Sequence, residues 1–466
     1  MFYLQCTTSL QDKRINLLIK KLIIIIISVS CSVIVYGQTV LTLKEYKELA
    51  IKNNISIKNS LLETEASKQV KKGAFTNYFP KISVMAFAMK AKDPLLKFNT
   101  QGGNLPVYDG NPANIPIATQ FAYLPGSSIQ MLDKTALGLV NVTQPIFSGG
   151  RIITGNKLAK VGIAVKEQQQ KLTQNDVLLK TEQQYWQILS LQEKEKTVEK
   201  YEAFLEGINK QVNDAYKSGL IIKNDLLKVQ IKKNELNSNK SKLHSGKKLA
   251  IMQFCQTIGI PYDSTLVLQE DLQKIELPQS YYIENETALQ NRTEYQLLEQ
   301  SVKAQELQTK MKTGDYLPQV AVGAMGYYNN NLIKDVDGTT NGLVYATVSI
   351  PITDWWGGSH AIKEQKIKEQ IAENTLTDTK GLLKLQIEKA WLDLNENYNQ
   401  IILLEETVKQ AEENLKVMQT SYNSGVITLS DLLEAQALLS ETNDKLIDTK
   451  TQYRTSISTY LQYTGR

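Results

Sequence analysis

The chain has 466 residues, of which 42% are hydrophobic and 22% charged; that balance excludes both a disordered polymer and a polytopic helical membrane protein. Its 53 Lys and Arg against 48 Asp and Glu leave +5, too small and too evenly spread to mark a nucleic-acid partner. Two histidines and three cysteines are little material for a metal or nucleophile site, so neither an enzyme nor a cofactor is expected.

Lys13, Arg14, Lys20 and Lys21 precede a 14-residue apolar run, Leu22 to Val35. The run is shorter than the roughly 20 residues of a spanning helix, and Gly37 offers a cleavage point, so residues 1–37 read as a secretory signal peptide. An uncleaved anchor is one alternative. Lipidation at Cys31 is another, weakened by Ser28 where such sites carry Leu. Cleavage after Gly37 removes Cys6 and Cys31, leaves Cys255 without an intramolecular disulfide partner, and brings the mature chain to about +2.

An internal repeat organises the rest. Gly138-Leu139-Val140 leading to Pro145 recurs as Gly342-Leu343-Val344 leading to Pro351, the glycines 204 and the prolines 206 apart, and Tyr216, Ser218-Gly219 and Asp225 recur as Tyr422, Ser424-Gly425 and Asp431, all at an offset of 206. Tyr78-Phe79-Pro80 and Tyr316-Leu317-Pro318 are 238 apart, so the first copy holds about 32 extra residues. The boundaries expected are a first repeat over 38–260, a connecting segment over 261–283 and a second repeat over 284–466.

In chain order, a helix opens near Leu41. Pro80 to Met89 is long enough for a tilted membrane strand, returning at Gly138 to Gln144; the second copy offers Pro318 to Tyr328 and Gly342 to Ile350. Small and apolar residues occupy both faces of these strands, so hairpins on a soluble core also fit. The intervening segment 91–134 contains five of the eleven prolines and reads as a long exposed loop.

No proline occurs from 146 to 260 or after 351, which permits very long helices. Val198, Tyr201, Leu205, Ile208, Val212 and Tyr216, and likewise Leu404, Val408, Ala411, Leu415, Met418 and Tyr422, keep the 3–4 spacing of a coiled-coil seam. Arg151 to Lys217 would be a helix about 100 Å long. Gly219 and Gly425 are suited to left-handed C-caps, and helices restart near Asp225 and Asp431. The fold class is therefore mostly α with a small β part: two long antiparallel helical hairpins and four strands. Four strands cannot close a membrane barrel, for which about eight is the minimum.

Other constellations fail. His244 and His360 lack any metal-ligand spacing, and Ser245-Gly246-Lys247-Lys248 lacks the first glycine and the Ser/Thr of a phosphate loop. Gly149-Gly150 and Gly357-Gly358 suit strand-to-helix bends. Trp355-Trp356 suits either a membrane interface or a packed strand end.

In order, spacing and duplication these motifs resemble the outer membrane factor family, the TolC-like exit ducts of Gram-negative cells. Across the mature chain, the resemblance rests on Tyr78-Phe79-Pro80, Gln144-Pro145-Ile146-Phe147 with Gly149-Gly150, Tyr216-Lys217-Ser218-Gly219-Leu220-Ile221 and the repeat of this set. It implies a homotrimer in outer-membrane lipid, with a shared 12-stranded β-barrel continuous with a periplasmic α-barrel. It implies two partners, a periplasmic adaptor protein and an inner-membrane pump of RND or ABC type, the latter including type I secretion. It places Gly219, Leu220, Gly425 and Val426 at adaptor-contacting tips. It makes Tyr422 and Asp225 a pair that holds a periplasmic gate, without the Arg that some members have where Ile427 stands here. It puts Asp431 and Glu434 in an acidic ring at the entrance. Both carboxylates also suit a helix N-terminus with no pore. A secreted structural coiled coil without a pore is the rival to the duct.

Overall fold

The computed structural model describes residues 41–131, 134–264, 266, 268, 271–330 and 337–466; the signal-like segment, with Cys6 and Cys31, lies outside them. Its helices are α1 (Leu43–Asn53), α2 (Ile55–Thr76), α3 (Arg151–Lys217), α4 (Lys223–Ile258), α5 (Asn285–Asn291), α6 (Thr293–Gly314), α7 (Trp355–Asn423) and α8 (Leu429–Tyr463). Its strands are β1 (Lys81–Lys90), β2 (Leu96–Thr100), β3 (Gly103–Pro106), β4 (Phe121–Leu124), β5 (Ser127–Met131), β6 (Lys134–Ser148), β7 (Gln319–Asn330) and β8 (Thr339–Ser349). No described helix is long and apolar enough to cross a membrane.

The chain divides into two compact units, each drawn from both repeats. One comprises residues up to 55, 176–281 and 392–459. It holds the tip-bearing parts of the hairpins α3–α4 and α7–α8, whose seams meet in one core: Leu205, Ile208 and Val212 pack with Val229, Leu236, Leu432 and Leu433. The spacing read as a coiled-coil seam is thus a buried seam, with Leu415, Met418 and Tyr422 packed against it. Helix α1 starts on a capping box, in which the Thr42 amide donates to Glu45 Oε2 (2.7 Å) and the Glu45 amide to Thr42 Oγ1 (3.4 Å). It breaks at Asn54, whose side chain donates to the Thr257 carbonyl at 2.7 Å.

The second unit, residues 56–175, 282–391 and 460–466, contains an antiparallel sheet ordered β1-β6-β7-β8. β6 shifts register between Pro145 and Phe147; proline has no amide to donate, so a bulge forms there. Two sequence expectations are corrected in this unit. Segment 91–134 is not a plain loop: β2 pairs with β5 and β3 with β4, around a 3-10 turn at Pro112–Ile117. Gly149 and Gly150 do make a strand-to-helix bend, at φ +62° and +77°. Gly357 and Gly358 instead lie inside the first turns of α7. A Cβ on Gly358 would stand 2.6 Å from the Tyr316 ring, so this glycine serves close packing, and the second bend is formed by Pro351 to Asp354. Trp355 starts α7 and donates from Nε1 to the Tyr316 carbonyl at 2.8 Å.

Candidate functional site: the hairpin tips

Both tips have the same backbone. The Leu220 amide donates to the Ala215 carbonyl (2.9 Å) and Gly219 to Tyr216 (3.0 Å); Val426 donates to Ser421 (2.9 Å) and Gly425 to Tyr422 (3.0 Å). This double bond pattern needs a left-handed residue, which Gly219 (φ +73°) and Gly425 (φ +72°) supply. Leu220 and Val426 are left 79% and 76% exposed at the two turns.

The repeats differ where the next helix starts. At the N-cap of α4 stands Ile222, which makes no capping bond. Its repeat equivalent is Thr428, whose amide and hydroxyl both donate to Asp431 Oδ2 (2.9 and 2.8 Å), while the Asp431 amide donates back to Thr428 Oγ1 (3.4 Å). The Thr428-x-x-Asp431 pattern was readable in the sequence. Hydrogen bonds from Thr428, then the Lys228 ammonium, hold the Asp431 carboxyl below its usual range. Asp431 and Glu434 are both exposed, three residues apart on α8.

Tyr422 and Asp225 come together in this unit without a hydrogen bond between them. Tyr422 is half-buried against the seam core, and burial first, then the Asp225 carboxylate, push its phenol up. Asp225 faces Lys228 Nζ at 3.4 Å, and Lys228 donates to Ser430 Oγ at 2.9 Å, linking the two hairpins.

Sequence reading missed a polar groove of about 560 Å³ among α3, α4 and α8. There Lys194 Nζ lies 2.7 Å from Asp448, and Asp444 Oδ1 is buried without a hydrogen-bond partner. Burial raises the Asp444 pKa, opposed by Lys194 and aided by Asp448. Because the folded value is raised, the folded state binds this proton more tightly. The ionised carboxylate therefore destabilises the fold at neutral pH, and the penalty disappears as pH falls below the unfolded value. Asp444→Asn is expected to raise the unfolding midpoint at pH 7 and to leave it unchanged at about pH 3, below the ordinary Asp value; denaturant titrations at the two pH values check this.

Among the described residues no group of three His, Cys, Asp or Glu could hold a metal. His244 and His360 are exposed on helices, and Cys255 is buried, which pushes its thiol up.

Residues 285–466 match the family described as outer membrane efflux protein. No curated protein sequence matches the chain. The fold is similar to that of the Campylobacter jejuni outer membrane channel CmeC, with a TM-score of 0.71 at 15% identity, covering 91% of this chain and 85% of that one. It is also similar to the Vibrio cholerae outer membrane protein VceC (TM-score 0.71, 13% identity, 91% and 96% covered) and to the open state of the Neisseria gonorrhoeae MtrE outer membrane channel (0.68, 12%, 91% and 88%). Residues 285–466 are thus similar to the outer membrane efflux protein family, and the fold of the chain, mostly helical with a minority of strands, is similar to that of TolC-like outer membrane channels.

Proposed function

We propose that the chain is one subunit of a homotrimeric exit duct in the outer membrane, which passively conducts substrates delivered by an inner-membrane pump and a periplasmic adaptor. The observation that carries this reading is the sheet. Antiparallel register stacks Ile82, Val142, Ala324 and Val344 in one row and Val84, Val140, Gly326 and Gly342 in the next. This face is apolar or small throughout both rows, and Ile82, Val84 and Val344 are 70%, 75% and 84% exposed in the single chain. Water is a poor solvent for such a face and hydrocarbon a good one. The opposite face is mixed: the Tyr345 hydroxyl donates to Asn141 Oδ1 (2.8 Å) and lies 3.0 Å from Thr143 Oγ1, with Met85, Leu139 and Leu343 on the same side. The outer strands β1 and β8 each have one unpaired edge. Closure therefore needs further copies, and the number three comes from the resemblance to outer membrane factors.

On this reading the exposed tips Gly219-Leu220 and Gly425-Val426 receive the adaptor, and Tyr422 with Asp225 biases the entrance toward closure. With Ile427 in place of a cationic residue, the latch rests on Tyr422 and Asp225 alone. A hydrogen bond between them, absent in the single chain, would contribute about 1.5–3 kcal/mol if the assembled entrance formed it, small enough for a docked partner to override. Three copies of Asp431 and Glu434 would set six carboxylates around the entrance and favour cations.

The experiment is conductance in planar bilayers. Discrete cation-selective openings are expected, and an electrically silent protein would contradict the duct. In the Asp431→Ala, Glu434→Ala double variant, block by multivalent cations should weaken. Unchanged block would assign these carboxylates to the helix N-terminus alone.

A further inference from the structure

The apolar face of the sheet ends in a pair of lysines. Beyond the rows of Ile82 and Val84, register places Ala86, Gly138 and Tyr328 in the next row of the same face, then Ala88, Ala136 and Asn330. The pair that follows is Lys90↔Lys134. Along β7 the residues of this face, Ala324, Gly326 and Tyr328, are exposed, whereas Gly323, Met325 and Tyr327 between them are half-buried, so the rows lie on the outer side of the sheet.

The chemistry changes along the rows. The first two are apolar or small, and the third brings Tyr328, whose hydroxyl accepts from Asn330 Nδ2 at 3.2 Å. An aromatic ring with a polar tip suits the edge of a hydrocarbon layer. From Ile82 to Lys90 the strand rises about 26 Å, comparable to the apolar band of roughly 25 Å on a membrane barrel, so the lysines fall at headgroup level. As a pair they are unfavourable, because like charges directly opposite on adjacent strands repel. Both are exposed, and neither makes an ion pair among the described residues. Nor does the surrounding sequence neutralise them: residues 88–97 and 131–136 hold four lysines to two aspartates.

We propose that Lys90 and Lys134 bind the phosphate of a phosphorylated lipid headgroup in the outer leaflet. The proposal rests on the outer-membrane reading. That reading directs α2 and α3, which adjoin the far ends of β1 and β6, into the periplasm and so turns the lysine pair outward. A phosphate between the two ammonium groups replaces their repulsion with charge-assisted hydrogen bonds, and the flexible lysine stems let both heads reach it at the interface. The acyl chains of the same lipid lie along the rows from Ala88 down to Ile82. A free phosphate makes no such apolar contact, which favours the lipid as occupant.

The test uses the full chain extracted from membranes and exchanged into neutral detergent, with phosphatidic acid, phosphatidylcholine and inorganic phosphate as probes. After gel filtration the protein should retain phosphatidic acid but not phosphatidylcholine, as read by phosphorus assay. The Lys90→Gln, Lys134→Gln double variant should retain severalfold less, whereas Lys71→Gln with Lys72→Gln, two exposed lysines of α2, should retain as much as the parent. Excess inorganic phosphate should not displace the lipid; displacement would overturn the lipid as occupant. Detergent-corrected mass of the same samples separates the two levels of the account. A three-chain mass with equal retention in the parent and the Lys90, Lys134 variant would overturn this site and leave the duct standing. A single-chain mass or solubility without detergent would overturn the duct and the lipid site together.

Discussion

Gly149→Ala is expected to lower the stability of the strand-bearing unit by about 2–4 kcal/mol, while Gly150→Ala next to it costs only about 1 kcal/mol. Both residues have positive φ, +62° and +77°, so both substitutions incur left-handed backbone strain. They differ in what a Cβ would meet. On Gly149 it would overlap the Gly314 carbonyl oxygen, backbone against backbone, whereas on Gly150 it meets nothing within 4 Å. No flexible side chain can move aside at Gly149. The overlap must separate the β6-to-α3 bend from the end of α6, beside the terminal sheet pair Ser148↔Gln319. Denaturant unfolding of the two variants in detergent checks the difference, and equal losses would show that the close approach is not a constraint.

Glu294→Ala should cost about 3 kcal/mol and more than Arg292→Met, the opposite of what burial alone suggests. Arg292 is the largest fully buried side chain, 2% exposed, at the start of α6. Its Nη2 donates to Glu294 Oε1 at 2.7 Å and its Nη1 to Gln386 Oε1 at 3.1 Å, and Tyr463 stacks 5.0 Å away. Removing the carboxylate leaves a buried guanidinium without its counter-charge, which typically costs 3–5 kcal/mol; the retained Gln386 and Tyr463 contacts put this case at the low end. Removing the arginine leaves a carboxylate that is 33% exposed and able to rehydrate. Trp391, within 5.3 Å of Tyr460 in the same unit, gives the fluorescence signal for the midpoints. A larger loss in Arg292→Met would assign the stabilisation to packing rather than to the charge pair.

The long helices were legible because their sequence has no proline and repeats apolar residues every three or four positions. The Ser-Gly pairs marked the turns for the same local reason: only glycine takes the left-handed conformation without strain. The four sheet strands were legible in place, but not as two chemical faces. The apolar rows form only once register sets Ile82 beside Val142 and Val344 beside Ala324, and no single strand contains that information. The ribbons within 91–134 were hidden by prolines and glycines, which read as loop although Pro106 ends one strand and Pro112 starts the 3-10 turn. Gly358 read as a bend because its partner, Tyr316, is distant in sequence. Arg292 gave no signal at all, since its burial depends on Gln386 and Tyr463, which lie far along the chain.

At the tips, the proximity of Tyr422 and Asp225 came from family resemblance and the geometry from the fold. Their separation by a missing hydrogen bond, and the use of Asp431 as a capping partner for Thr428, are set by side-chain orientation that spacing does not specify.

The most direct test of a barrel shared among copies is the protein mass, corrected for bound detergent, of the mature chain extracted from membranes. Three chains in a particle that extracts only with detergent is the predicted result. A single chain, or a protein soluble without detergent, would contradict it.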